Sequence, residues 1–161
     1  MRCLDIEIAV AKLFNPRVNL IVPNVSWGMC LHECDMLILS KSGYATEVEI
    51  KTSVADLKRD ARKPHAHESE RIKYLYFAVP EGMLKSEHAE YIPKHAGIIT
   101  VSIQPGYYGQ PEYRANYERA PMTNTVKYCF NDGERLEMAR LGAMRIWTLK
   151  QKIQELTEAK K

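Results

Sequence analysis

The stretch HECDMLILSKSGYATEVEIKTS, His32 to Ser53, limits what this chain can fold into more than any other. Two apolar runs, CDMLILS and YATEVEI, flank Lys41-Ser42-Gly43, the pattern of two strands joined by a tight turn. Among these buried-looking residues stand Glu33, Asp35, Glu47, Glu49 and Lys51, and a charge is costly to bury without a partner. A three-residue hairpin loop commonly ends in a left-handed glycine, and Gly43 occupies that place. Ser40 then faces Tyr44, and counting back along both strands sets Asp35 opposite Glu49 and Glu33 opposite Lys51. Opposed residues share a face, with Cβ atoms roughly 4.5 to 5.5 Å apart. A two-residue turn would put Asp35 and Glu49 on opposite faces and dissolve the arrangement.

In the three-residue register, two carboxylates converge at a spacing one divalent cation could bridge, with an ammonium beside them. Oxygen donors of this kind suit Mg2+ or Mn2+. Two adjacent carboxylates resist joint ionisation until a cation compensates them. Two acids, a metal and a lysine are the equipment of phosphodiester hydrolysis: the metal polarises the phosphoryl oxygen and activates a water, and Lys51 stabilises the growing charge or holds the attacking water. The competing reading is a charge-paired hairpin on a solvated sheet face. The apolar neighbours Leu37, Leu39, Val48 and Ile50 favour a covered sheet and hence the site.

The rest of the chain supplies strands and helices around this hairpin. LDIEIAVAKLF fits both a strand and a helix, and the helical face Ile6, Val10, Leu13 and Phe14, ending before Pro16, is preferred. VNLIVPNVSWG reads as a strand edged by Pro23, with a bend at Trp27-Gly28. Ser53 opens a helix with Asp56 in capping-box position, predicted to stop near Lys63 before Pro64. IKYLYFAVP and AGIITVSI are apolar strands, and a further strand or hairpin is predicted around Tyr113 to Glu118. From Asn131-Asp132 onward Leu136, Leu141, Met144, Trp147 and Ile153 mark a long amphipathic helix, a core element or a dimer contact. The expected fold is α/β, a mixed-direction sheet flanked by helices with a C-terminal amphipathic helix. It forms one domain over residues 1–161: a core at about 4–104, then a hairpin and helix at about 105–158.

Composition sets the outer limits. Net charge is +3, which permits a nucleic-acid partner without demanding one. No apolar run reaches membrane-spanning length and the N-terminus MRCLDIEIAV carries acids, so a cytoplasmic protein is expected. Cys3, Cys30, Cys34 and Cys129 do not form a disulfide framework. Cys30, His32 and Cys34 invite a zinc reading, but an extended segment separates Cys30 from Cys34 by about 13 Å, too far for one tetrahedral ion. Buried thiols are the better account.

Asp35, with Glu49-Ile50-Lys51 at the end of the next strand, resembles the D…(D/E)xK signature of the PD-(D/E)XK nuclease superfamily, which has the restriction-endonuclease-like fold. More narrowly, VEIKTSVADLKRDARKP, YLYFAVPEGM and IPKHAGIITV resemble the MmcB-like DNA repair proteins within it, over about Cys34 to Val101. The resemblance implies a restriction-endonuclease-like sheet and a Mg2+- or Mn2+-dependent endonuclease acting on DNA in repair, recombination or mobile-element processing. By it, Asp35 and Glu49 are metal ligands, the Ile50 carbonyl a third ligand and Lys51 the catalytic lysine. Glu7 could join the metal from the first helix, as a helix glutamate does in some relatives. Cys34 stands where the family name has proline, which supplies no ligand.

Other candidates are weaker. Lys58, Arg59, Arg62 and Lys63 follow the site and could hold a DNA backbone, but Asp56 and Asp60 interrupt the run and a solvated helix face competes. Glu33 could pair with Lys51 or assist the metal, and Glu47 reads equally as a solvated strand residue. His65 and His67 are expected to be loop residues of polar surface. Tyr107, Tyr108, Tyr113 and Tyr117 could stack on bases or pack a sheet edge. Two alternatives stay open beside the nuclease: a nucleic-acid-binding module that keeps the fold without turnover, and a structural protein with surface acids. DNA is the expected partner, membranes are not, and a homodimer is compatible with one centre per chain.

Overall fold

The computed structural model describes residues 1–25, 31–61, 67, 69–107, 109–122 and 125–159. The bend at Trp27-Gly28, together with Cys30, Arg62, Lys63, Pro64, His65 and Tyr108, lies outside them. Six strands form one sheet in sequence order: β1 (Leu20–Val25), β2 (Cys34–Leu39), β3 (Ala45–Ile50), β4 (Ile72–Pro80), β5 (Gly97–Pro105) and β6 (Pro111–Arg119). The first three make an antiparallel meander. β3, β4 and β5 run parallel, and β6 turns back along β5. The sheet is therefore mixed, as the strand order implied. β6 is its sixth strand, so the expected boundary near residue 104 falls inside one continuous sheet.

The hairpin has the three-residue turn. Ser40 and Tyr44 are joined by a backbone hydrogen bond of 3.0 Å, Gly43 donates to the Ser40 carbonyl at 3.0 Å, and Gly43 has φ +85°. At that φ a side chain would be strained, and a Cβ would stand 3.1 Å from the Phe130 carbonyl oxygen. The ladder pairs Leu39 with Ala45, Leu37 with Glu47 and Met36 with Val48, which continues to Asp35 opposite Glu49. Pro23 sits on β1, an edge strand, where its missing N–H costs no ladder bond.

Helix α1 (Cys3–Leu13) covers one face of the sheet. Its Ile6, Ala9 and Val10 pack with Met36, Ile38, Val48, Ile50, Ile99 and Val101. The other face is divided. Towards β1, helix α3 (Asp132–Glu158) packs Met138 and Leu141 against Val22, Leu37 and Leu39. Towards β4 and β5, helix α2 (Val54–Asp60) contributes Leu57 to a cluster with Leu75, Phe77 and Val79. The ends of the helices follow ordinary capping chemistry. Asn131 and Glu134 form a reciprocal capping box on α3. On α2 the Ser53 hydroxyl accepts the Asp56 N–H at 3.2 Å, but the Asp56 carboxylate turns to Arg59 at 2.6 Å. The helix ends at Asp60, short of the predicted Lys63.

Helix α3 buries little of its apolar stripe, so of the two readings, core or dimer contact, core holds only for its first half. Only Met138 and Leu141 are buried, both in its first half. Leu136, Met144, Ile146, Trp147, Leu149, Ile153 and Leu156 are exposed, so most of the apolar stripe lies outside the core of this chain. Among the described residues no helix is long and apolar enough to cross a membrane.

Candidate functional site

Every residue of β3 is buried, and alternation sorts them. Thr46, Val48 and Ile50 point under α1. Glu47 and Glu49, followed by Lys51, point to the opposite face in the gap between the parts covered by α3 and α2. Burial forces these charges to find partners, and they do so as one network.

Lys51 is its cation. Its side chain is 5% exposed, and Nζ stands 2.7 Å from Glu49 Oε2, 3.0 Å from Asp60 Oδ1 and 3.8 Å from Asp35 Oδ2. Burial acts to lower the lysine pKa, but Glu49 and Asp60 outweigh it and raise it, so the ammonium is held charged. Asp35 is 40% exposed on its side chain and opens the site to solvent. Its Oδ2 accepts the Ile50 N–H at 2.8 Å, while its own N–H points to Glu49 Oε1 at 3.3 Å. Burial first, then the charge of Asp35, push the Glu49 carboxyl up against the pull of Lys51. Glu7 is half-buried on α1, and its carboxyl is also pushed up, by burial and then by Asp35.

Behind Lys51 the network continues. His67 bridges two acids, with Nε2 2.7 Å from Asp60 Oδ2 and Nδ1 2.8 Å from Glu47 Oε1. Burial disfavours the imidazolium, but hydrogen bonds to Asp60 and Glu47 prevail and raise its pKa to about 9. His32 Nε2 lies 2.9 Å from both oxygens of Glu47. Burial would raise the Glu47 carboxyl, yet its bonds to His32 and His67 bring it below the ordinary value. His67 has φ +56°, an uncommon backbone for a residue other than glycine, so its placement is imposed by these contacts.

The structure thus brings Asp35, Glu49 and Lys51 together where β2 starts and β3 ends. It also adds four residues to the network. Asp60, read as an interruption of a basic run, shares the buried face of α2 with Leu57 three residues earlier, a helical spacing visible in the sequence. Glu47 is fully buried on the same face as Glu49, as the period of two requires. His67 is buried, not polar surface. No local sequence signal marks it, because its partners Glu47 and Asp60 come from other elements. His32 belongs to Glu47. Glu33 is exposed, and Lys51 is committed to Glu49, Asp60 and Asp35.

Among the described residues, two groups of three place ligand atoms within 4.8 Å of one another: His32, Glu47 and His67, and Glu49, Asp60 and His67. Asp35 and Glu7 belong to neither. Cys34 is buried and its thiol is pushed up by burial, which suits a structural residue. Of the basic candidates, Lys58 and Arg59 are exposed on α2. Arg59 pairs with Asp56 at 2.6 Å, and Lys58 Nζ lies 5.0 Å from the Tyr91 ring centre. Tyr117 packs against Phe14 and Tyr76 at the sheet edge, whereas Tyr107 is exposed in the β5–β6 loop. A cavity of about 800 Å³ adjoins His67, lined in part by Lys73, His95 and Lys127.

No family model and no curated protein matches the chain. Among solved structures, a protein of unknown function from Silicibacter pomeroyi is similar, with 17% sequence identity and a TM-score of 0.62 over 98% of this chain and 94% of that one. At that identity the likeness concerns the fold alone. The fold is mixed α/β, a six-stranded sheet flanked by helices with a long C-terminal helix, consistent with a restriction-endonuclease-like arrangement.

Proposed function

We propose that the chain is a Mg2+- or Mn2+-dependent hydrolase of DNA phosphodiester bonds, of the endonuclease type, serving repair, recombination or mobile-element processing. The observation that carries this reading is the position of Lys51: a buried, charged ammonium between Glu49 and Asp60, with the half-exposed Asp35 in front of it. The residues fit a hard cation. Asp35, Glu49 and the Ile50 carbonyl offer oxygen alone, Glu7 stands near enough to feel Asp35, and Glu49 is held above its ordinary pKa by burial and then by the charge of Asp35, both of which a bound cation offsets. When bound, the metal would polarise the phosphoryl oxygen and lower the pKa of a water.

This chain's own groups would do the rest. Lys51 stays protonated at neutral pH, so it acts as a point charge towards the oxygen that gains charge as the water attacks phosphorus, not as a base. Asp60 fixes the ammonium from behind. Asp35, tied to the Ile50 N–H, is pre-oriented at the solvent side. Lys58 and Arg59 would meet the DNA backbone, Arg59 by exchanging Asp56 for phosphate. With one centre per chain, cutting both strands requires a homodimer or two successive nicks.

The second reading, a DNA-binding module without turnover, draws on the saturation of Lys51: its ammonium is already committed to three carboxylates. One experiment separates the two. Nicked, branched, single-stranded and duplex DNA are incubated with Mg2+ or Mn2+ and the protein, beside Asp35→Asn and Lys51→Ala. Metal-dependent cleavage lost in both variants supports the hydrolase, and equal cleavage by the variants defeats the site. Salt-sensitive binding with no cleavage supports the module.

A further inference from the structure

A second donor cluster lies beside the oxygen-rich site and differs from it in chemistry. His32 Nε2 and His67 Nδ1 converge on the Glu47 carboxylate at 2.9 and 2.8 Å, and one ligand atom from each residue lies within 4.8 Å of the others. They come from three separate segments: the approach to β2, the middle of β3 and the turn before β4. We propose that His32, Glu47 and His67 form a binding site for a divalent transition ion of the zinc class, separate from the oxygen-donor site at Asp35 and Glu49.

The ring of His67 is held between two partners. Both nitrogens of His67 face carboxylates, Nε2 towards Asp60 at 2.7 Å and Nδ1 towards Glu47 at 2.8 Å. A neutral ring donates through one nitrogen only. With Nε2 turned to Asp60, Nδ1 is the ligand atom that faces the space shared with Glu47 and His32. With the ion present, Asp60 accepts from Nε2–H behind the ligand nitrogen, the carboxylate–histidine–metal arrangement that orients such ligands. His67 takes this place with a left-handed backbone, φ +56°.

Imidazole donors choose zinc, and also cobalt or nickel, over magnesium. Donors on a tetrahedral ion stand about 3.3 Å apart, given bonds of about 2.0 Å, so the cluster would open by about half an ångström. Three protein ligands leave one coordination position for water or substrate, and the His32 side chain, 15% exposed, marks the side open to solvent.

The inference stands apart from the nuclease reading and is tested without it. The full chain is stripped with chelator and then titrated with Zn2+ by calorimetry and with Co2+ by visible absorption, beside Asp35→Asn, His32→Ala and His67→Gln. Folding of each is checked by circular dichroism. One equivalent should bind to the unaltered chain and to Asp35→Asn, with four-coordinate cobalt colour, and affinity should fall about 100-fold or more in His32→Ala and His67→Gln. His32 is the more accessible ligand, so His32→Ala decides the matter if His67→Gln does not fold. Absence of binding overturns the proposal, as does undiminished binding in His32→Ala. So does binding lost in Asp35→Asn alone, which would place the ion on the oxygen donors. Mg2+-dependent cleavage by a protein that takes up no zinc would leave the proposed function intact and remove only this site.

Discussion

The two faces of β3 are buried to the same degree and built from opposite materials. Under α1, Val48 and Ile50 join an apolar cluster that needs only shape and volume. Under α2 and His67, Glu47, Glu49 and Lys51 are equally dry but depend on partners at defined distances. The apolar face would tolerate a volume-conserving exchange. The charged face would not, because removing one member strands the charge of another in a low-dielectric setting. Such a network is weak evidence for stability, since an apolar replacement of the whole is often as stable. Its presence therefore points to chemistry.

The contrast is broken most directly at Lys51. Lys51→Met leaves Glu49 and Asp60 buried without their cation and should cost about 3–5 kcal/mol in urea unfolding, beside loss of any metal-dependent cleavage. Ile50→Val, the neighbouring residue on the apolar face, should cost about 1 kcal/mol and leave cleavage within a few-fold. Equal costs for the two would show that the charged face is not the constrained one.

Next in size is a pH effect. The His67 pKa is raised from its ordinary value near 6.5 to about 9. A group with a raised folded-state pKa stabilises the fold fully below its unfolded pKa and loses that contribution as pH rises through the folded one. In metal-free protein, stability should therefore fall between about pH 6.5 and 9, by on the order of 3 kcal/mol. Glu47 has the opposite sign: its lowered pKa gives stability that is present above its ordinary value and lost as pH falls below it. Denaturation midpoints across pH should peak on the acid side of neutrality, below about pH 6.5 where His67 contributes fully, and His67→Gln should flatten the fall above it. An unchanged alkaline limb in that variant would contradict the charged bridge.

Smaller still is Ser53→Ala, which removes the N-cap that aims α2, and Asp60 with it, at the site. About 1 kcal/mol of stability should be lost, measured by thermal or urea unfolding. The smallest effect on the fold belongs to the exposed side of the same helix. Lys58→Ala and Arg59→Ala should leave stability within about 0.5 kcal/mol while weakening DNA binding and reducing its dependence on salt. Titrations at several salt concentrations check this, and an unchanged salt slope would remove α2 from the DNA-binding surface.

Much of the arrangement is legible in the residues. The glycine of KSG determined the turn length, the turn length determined the register, and the register set Asp35 against Glu49. Asn131-Asp132 marked the start of α3, while Pro23, read as interrupting or edging a strand, lies within β1. What was not legible shares a cause. Glu47 was left open between a solvated residue and a site residue because a strand's period says which residues share a face, not which face is covered. Asp60 looked like a break in a basic run because its neighbours in the chain are charged, whereas its neighbour on the helix face is Leu57. The stripe on α3 read as core or as a dimer contact, because amphipathicity reports a helix's own asymmetry and not what packs against it.

Local chemistry, acting over a few residues, therefore determined the hairpin, the caps, the mixed α/β order and the charged triad of Asp35, Glu49 and Lys51. The tertiary structure alone decided that His32, Asp60 and His67, which are distant in sequence, complete one buried network, and that α3 leaves most of its apolar residues uncovered. The physical reason is range: turn geometry and alternation are properties of adjacent residues, while the partner of a buried charge is chosen by whichever segment the fold closes over it.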